Sequence, residues 1–207
     1  MNQNEIPYII YAEETPNPAS LKFVANKLLV VSGASADYTA AAETADAPLP
    51  AQLFKFPFVK RVFIQSNYVT VTKIDALEWE EIRDELRTFI TKYLNDGKAI
   101  INKFPQKEVA KDSSFKETIS VNTQHTAPNN DVETKIIEVL EQYIRPAVEQ
   151  DGGLITFKEL KDGIVTVQMR GSCSGCPSST MTLKAGIEAL LKRLLPDQVK
   201  EVVSEAV

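Results

Sequence analysis

Apolar residues recur along this chain with two periods, and each change of period marks an element. Val59 to Gln65 and Tyr68 to Lys73 alternate and are β-branched, with only Ser66-Asn67 between them, which predicts a hairpin. Leu21-Lys22-Phe23-Val24 and Leu28-Leu29-Val30-Val31 predict two further short strands about a turn at Ala25-Asn26-Lys27. Ahead of them, Thr15-Pro16-Asn17-Pro18 reads as a turn or extended segment, because two prolines fix φ. Trp79, Ile82, Leu86, Phe89, Ile90 and Tyr93 then return at helical spacing, with Asp75 as N-cap and Gly97 as stop. Between these blocks, Gly33 to Pro50 is rich in Ala, Thr and Asp and reads as a long loop, briefly helical at its centre.

The second half repeats the alternation of periods. Ile136, Ile137, Leu140, Tyr143 and Ile144 mark one helix face, and Pro146 kinks that helix or opens its last turn. Asp151-Gly152-Gly153 closes it, glycine supplying the left-handed residue that ends helices. Leu154 to Leu160 and Ile164 to Met169 predict a hairpin about Lys161-Asp162-Gly163. After a tight loop comes a helix with Leu183, Ile187, Leu190, Leu191 and Leu194 on its inner face, ended by Pro196, and Val199 to Val203 as an edge strand. A polar stretch without apolar period separates the halves. The expected organisation is a first domain over 1–101, a linker over 102–130 and a second domain over 131–207. The fold class is α/β of the α+β type: two small domains, each a hairpin-based sheet packed with helices.

Composition narrows the function. The 207 residues are 43% hydrophobic and 25% charged, as in soluble globular proteins, and the net charge of −5 gives no basic field for nucleic acid. No apolar run approaches the roughly 18 residues of a membrane span, so no membrane partner is expected. Met1 to Tyr11 has neither a secretory signal pattern nor the Arg-rich character of a transit peptide, and a cytoplasmic location is the expectation. No Ser-His-Asp set, phosphate-binding glycine loop or paired catalytic carboxylates can be assembled, so no enzyme is expected.

The chemistry concentrates in Cys173-Ser174-Gly175-Cys176-Pro177, which holds both cysteines of the chain between a predicted strand and a predicted helix. Cysteines three apart in a tight loop can turn both sulfurs to one side, and Gly171 and Gly175 let the backbone bend and leave room for a bulky guest. Pro177 suits the first helical position, which sets Cys176 near the positive end of the helix dipole, where thiolate is favoured. Both zinc and a cubane iron–sulfur cluster ordinarily want four protein ligands. One chain offers two cysteines, and its only histidine, His125, lies in the linker. A complete ligand set is most simply built from two chains, each giving one pair. Structural zinc held between cysteine pairs, and a Cys173–Cys176 thiol–disulfide couple, stay open at this point.

Other candidates have plainer readings. Asp151 reads as turn chemistry, Lys184 as surface and His125 as a solvated linker residue. Arg170 could steer an anionic guest or sit solvated at a strand end. Trp79, Phe89 and Tyr93 read as core, and Phe54, Phe56 and Phe58 as a packed strand entry.

Asp151-Gly152-Gly153, Asp162-Gly163-Ile164-Val165 and the run from Gly171 through Cys173 and Cys176 to Thr180 resemble the NifU C-terminal domain over 131–203. Pro16-Asn17-Pro18, Leu21-Lys22-Phe23, Pro48-Leu49, Leu53-Phe54, Val62-Phe63-Ile64 and Val69 to Lys73 resemble the Nfu N-terminal domain over about 11–97. Together they resemble Nfu-type iron–sulfur cluster scaffold or carrier proteins. The resemblance implies Cys173 and Cys176 as ligands of a cluster, commonly [4Fe-4S] with [2Fe-2S] as the lesser form, shared across a homodimer. It also implies upstream cluster-assembly proteins as donors and apo iron–sulfur proteins as recipients. Leu154 departs from the polar Asp many relatives carry after the double glycine.

Overall fold

The computed structural model describes residues 6–104, 125–174 and 177–206. It is an α+β protein of two domains, each built on its own sheet. In the first, five antiparallel strands run in the order β1-β2-β5-β4-β3, with β1 Ile10–Glu14, β2 Ser20–Ala25, β3 Ser35–Tyr38, β4 Val59–Gln65 and β5 Tyr68–Lys73. Ser66, at φ 49, turns the hairpin between β4 and β5. Alternation sends Leu21 and Phe23 of β2, Val62 and Ile64 of β4, and Val69 and Val71 of β5 into one core. That core is closed by Leu49 and Leu53 of α1 (Pro48–Leu53) and by Ile82, Leu86, Ile90 and Leu94 of α2 (Trp79–Asn95).

Several expectations change here. The apolar run at 28–31 is not a strand: Leu28 and Val31 are exposed, while the amides of Leu29 and Val30 both donate to the Ser66 carbonyl beneath the hairpin turn. The partner of β2 is instead β1, an edge strand whose Tyr-Ala-Glu-Glu run carries little apolar signal. β3 falls within the expected long loop and α1 starts inside its end, while the alanine-rich centre does form a single 3-10 turn at Ala41–Glu43. Glu78, not Asp75, caps α2 through a reciprocal bond with Glu81, and Gly97 at φ +69 ends it as expected. Trp79 is half-buried against the core and donates from Nε1 to the Pro18 carbonyl at 2.9 Å.

The second domain opens with α3 (Asp131–Val139), capped by Asn130, whose Oδ1 accepts the Glu133 amide at 2.9 Å. Pro146 has no N–H to continue the ladder, and the chain widens into a π turn at Leu140–Ile144 before α4 (Arg145–Gln150). The extra residue rotates Tyr143 out of the face expected for it, leaving it 56% exposed. Gly152, at φ +78, closes α4. Then β6 (Gly153–Lys161) and β7 (Ile164–Gly171) form the predicted hairpin, and β8 (Glu201–Ala206) joins β7 in parallel. A parallel pair needs a crossover, here α5 (Pro177–Leu194). Ile136, Leu140, Phe157, Val167, Ile187 and Leu191 share the core, whereas Leu194, expected on the inner face, is exposed.

His125 is not solvated. Its side chain is buried, Nδ1 accepts the Phe157 amide at 2.7 Å, and Nε2 meets Glu141 Oε1 at 2.5 Å. The linker is therefore pinned at this end, and Ile100, Ile101 and Phe104 pack on the first domain at the other. The intervening 105–124 lie outside the described residues. Among the described residues no helix is long and apolar enough to cross a membrane.

The sheet of the first domain is buried on both faces. Opposite the α2 core, Lys22, Phe63, Gln65, Tyr68 and Thr70 project from β2, β4 and β5, all at 8% exposure or less. Phe63 and Tyr68 cluster with Leu154 of β6, so what covers this face is the second domain.

Candidate functional site

The crossover from β7 to α5 places Cys173 where a strand ends and a helix is about to start. Gly171 turns the chain at φ +65, and the Ser174 amide closes the turn on the Gly171 carbonyl at 3.1 Å. The Ser172 amide donates to the Gly152 carbonyl at 3.2 Å, which ties the loop to the double-glycine turn after α4. Glycine is required on both sides of this tie. A Cβ on Gly171 would stand 2.6 Å from the Gly152 oxygen, and one on Gly153 would stand 2.6 Å from Cys173 Sγ. The two turns thus make a cradle shaped around the sulfur.

Cys173 is 8% exposed, between Ser172 and Ser174, which are also buried. Ser172 Oγ donates to the Asp151 carbonyl and lies 3.9 Å from Sγ. Beside the sulfur runs a cleft of about 420 Å³, lined by Pro16 and Asn17 of the first domain and by Asp151, Ser172, Cys173, Thr182 and Leu183 of the second. Cys176 and Gly175 lie outside the described residues, and α5 begins at Pro177, the next position. A buried soft sulfur in a glycine cradle, with open space beside it and a helix start after it, fits a bulky sulfur-bound guest.

The electrostatics around the cleft come from both domains. Burial raises the Asp151 carboxyl above its usual range, and Lys22 opposes that shift. Lys22 Nζ donates to the Gln150 carbonyl at 3.0 Å, pairs with Glu13 at 3.3 Å, and sits 4.8 Å over the Tyr68 ring. Tyr68 is pushed far up, first by burial and then by Glu149 and Cys173, so its hydroxyl stays a donor. Arg61 forks onto Asp37 at 2.7 and 2.5 Å and reaches Ser174 Oγ with its third nitrogen at 2.5 Å. Arg170 is not a solvated strand end. It is half-buried, its guanidinium lowered by burial, with Asp37 attracting and Arg61 repelling it. Lys184 does lie at the surface, 3.6 Å from Glu201.

Among the described residues no group of three or more His, Cys, Asp or Glu gathers as a metal site. Both nitrogens of His125 are engaged within the second domain, which removes it as a ligand. The residues to which sequence reading gave no role at the site are Asn17, Arg61, Phe63, Tyr68 and Thr70. One signal was available: Phe63 and Tyr68 alternate out of phase with Val62, Ile64 and Val69, putting aromatic rings on a face with no assigned neighbour.

Residues 10–97 match the family described as "Scaffold protein Nfu/NifU N terminal", and 136–203 match the "NifU-like domain". The NFU1 iron-sulfur cluster scaffold homolog, mitochondrial, of Drosophila willistoni is 33% identical over 95% of this chain and 64% of its own length. NifU-like proteins 4 and 5, mitochondrial, of Arabidopsis thaliana are each 35% identical over 95% of this chain, covering 65% and 67% of theirs. A solution structure of a NifU-like protein from Saccharomyces cerevisiae covers 50% of this chain and 92% of its own, at 24% identity and a TM-score of 0.42. The chain spans just under two thirds of the length of several such relatives. These relatives are designated mitochondrial, which overturns the cytoplasmic expectation. That expectation rested on the pattern of one short segment, Met1 to Tyr11, which does not fix a compartment. With both domain types matched in order along one polypeptide, the chain belongs to the Nfu/NifU iron–sulfur cluster scaffold family.

Proposed function

We propose that this protein is a carrier, not a catalyst, whose cargo is a labile iron–sulfur cluster held by Cys173 and Cys176. Two copies each supply one cysteine pair, giving the four thiolates that a [4Fe-4S] cluster takes. The carrying observation is Cys173 in its glycine cradle at the strand-to-helix junction, in a chain with only two cysteines. Half a ligand set per chain makes the cargo easy to surrender: recipient thiolates replace the carrier's one for one, and iron and sulfide keep their oxidation states. The relatives' description as cluster scaffolds supports the same reading.

Anaerobic reconstitution tests it. Iron and sulfide analysis with native mass spectrometry should find roughly one four-iron cluster per dimer. Cys173→Ser and Cys176→Ser should each abolish uptake. A fully loaded monomer, or a cluster retained after both replacements, would refute the proposal. Zinc in protein purified without oxygen would replace it with a structural-metal reading.

A further inference from the structure

The outer face of the first domain's sheet is seated on the cysteine loop. Asn17 Nδ2 donates to the Ser172 carbonyl at 2.9 Å, and Thr70 Oγ1 to the Gly152 carbonyl at 2.8 Å. Tyr68 Oη reaches the Gly153 carbonyl at 3.3 Å, and Arg61 holds Ser174 as described. The residues on both sides of Cys173 are therefore held from the first domain, one through its carbonyl and the other through its hydroxyl. Phe63 seals the centre: it is fully buried against Tyr68 and Leu154, and the Gly171 turn packs against its ring.

The local geometry was built for this seat. Thr15 Oγ1 donates to the Asn17 and Ser20 carbonyls, and Asn17 Oδ1 accepts the Ala19 amide, which fixes Asn17 with its amide nitrogen aimed across the domain boundary. Asp37 holds Arg61 in a fork that leaves the third nitrogen for Ser174. Such prior fixing lowers the ordering cost of docking. Phe63 belongs to the contact and not to the domain's own core, which lies behind Val62 and Ile64.

We propose that this sheet face is a docking surface for the cysteine loop of the same chain, and that it competes with a second copy for that loop. A cluster shared between two chains must be reached by both loops at once. A loop whose neighbours are covered by its own first domain cannot meet a twin until the domains part. The protein then exists in a closed form, with Cys173 shielded, and an open form able to pair. This inference rests on the carrier reading for its second half; the shielding of Cys173 stands apart from it.

The test uses a maleimide carrying a polyethylene glycol chain too bulky for the 420 Å³ cleft. In the Cys176→Ser form of this 207-residue chain Cys173 is the sole thiol. Phe63→Ser opens the contact from the first domain and Leu154→Asp opens it from the second, with Trp79 fluorescence and circular dichroism confirming that both variants fold. Closure predicts that either variant is modified about tenfold faster or more, following the fall in the closed population. Equal rates in the parent and both folded variants would overturn the proposal. With both cysteines restored, the variants should form the iron-loaded dimer faster than the unaltered chain, and an unchanged rate would overturn the competition. Failure of every form to take up iron, with the maleimide difference intact, would refute the carrier reading and leave the closure standing.

Discussion

Gly171 and Gly97 share a backbone conformation, at φ +65 and +69, but not a setting, and the pair isolates what the cysteine cradle demands of its glycine. An alanine in the left-handed region costs about 1–2 kcal/mol through the crowding of Cβ against its own backbone. At Gly97 nothing lies within 4 Å of the new carbon, so Gly97→Ala should lose only that amount. At Gly171 the carbon would meet the Gly152 oxygen at 2.6 Å, the Phe63 ring at 2.8 Å and Gly153 Cα at 3.0 Å. Two of the three are backbone atoms of the same domain, so opening the domains cannot relieve them. Forcing such an overlap adds about 1–3 kcal/mol, which puts Gly171→Ala near 2–5 kcal/mol in all. Urea unfolding followed by far-ultraviolet circular dichroism measures both, and Trp79 fluorescence reports the first domain separately, since the two domains need not unfold together. Equal losses at the two positions, or a loss below about 1 kcal/mol at Gly171, would refute the cradle argument.

Two further predictions concern the second domain. Burial holds the His125 imidazole below its usual value, against the pull of Glu141, so the unfolded chain takes up a proton near pH 6.5 before the folded one does. The stability this group contributes is full above that pH and is lost as the pH falls through the depressed folded value. Proton NMR of the single imidazole should give a midpoint below 6.5, with urea midpoints declining between pH 7 and 5; a midpoint above 6.5 would contradict the assignment. Phe157→Ala should cost about 3–5 kcal/mol because the ring is 1% exposed in the core, whereas Tyr143→Ala, at 56% exposure, should stay within about 0.5 kcal/mol. Similar losses in urea titrations of the two would mean that the π turn does not set Tyr143 outward.

Where a local rule was strong, the sequence could be read directly. The β4–β5 hairpin, α2, the Asp-Gly-Gly stop and the helix after Pro177 each carry a period, a cap or a turn residue of their own. β1 escaped because an edge strand ending in Glu13 and Glu14 has one buried position to advertise, Ile10. α1 escaped because two prolines in Pro48-Leu49-Pro50 read as loop, although proline suits a first helical turn. The run 28–31 misled in the other direction: its apolar residues pack as a bend under a turn, where composition resembles a strand but no ladder exists. The cysteine pair stood out through spacing and neighbouring glycines. The cover over it did not, since alternation identifies a second sheet face without saying what lies on it. His125 was misplaced because linker composition cannot show that two residues of it fold back onto β6.

The chemistry of the domain contact favours one that opens and recloses. Four of its polar links run from side chains of the first domain to backbone carbonyls of the second, at Gln150, Gly152, Gly153 and Ser172, while Arg61 and Gln65 reach the side chains of Ser174 and Glu149. Water can serve each of these groups on separation, so each neutral bond contributes only about 0.5–1.5 kcal/mol to closure and a charged one, as from Lys22, about 1.5–3 kcal/mol. The apolar part is a single small cluster about Phe63, Tyr68 and Leu154. Contacts between domains of this polar kind move by default, unlike a large apolar seam. The carbonyl contacts read the shape of the turns, and only the contacts at Ser174 and Glu149 read side chains. A loop that swings aside to bring two sulfurs onto a guest would forfeit the bonds on the Ser172 carbonyl and the Ser174 hydroxyl, two of those that hold it shut. Loading and closure would then oppose each other through the backbone of residues 171 to 174, with no dedicated switch residue needed.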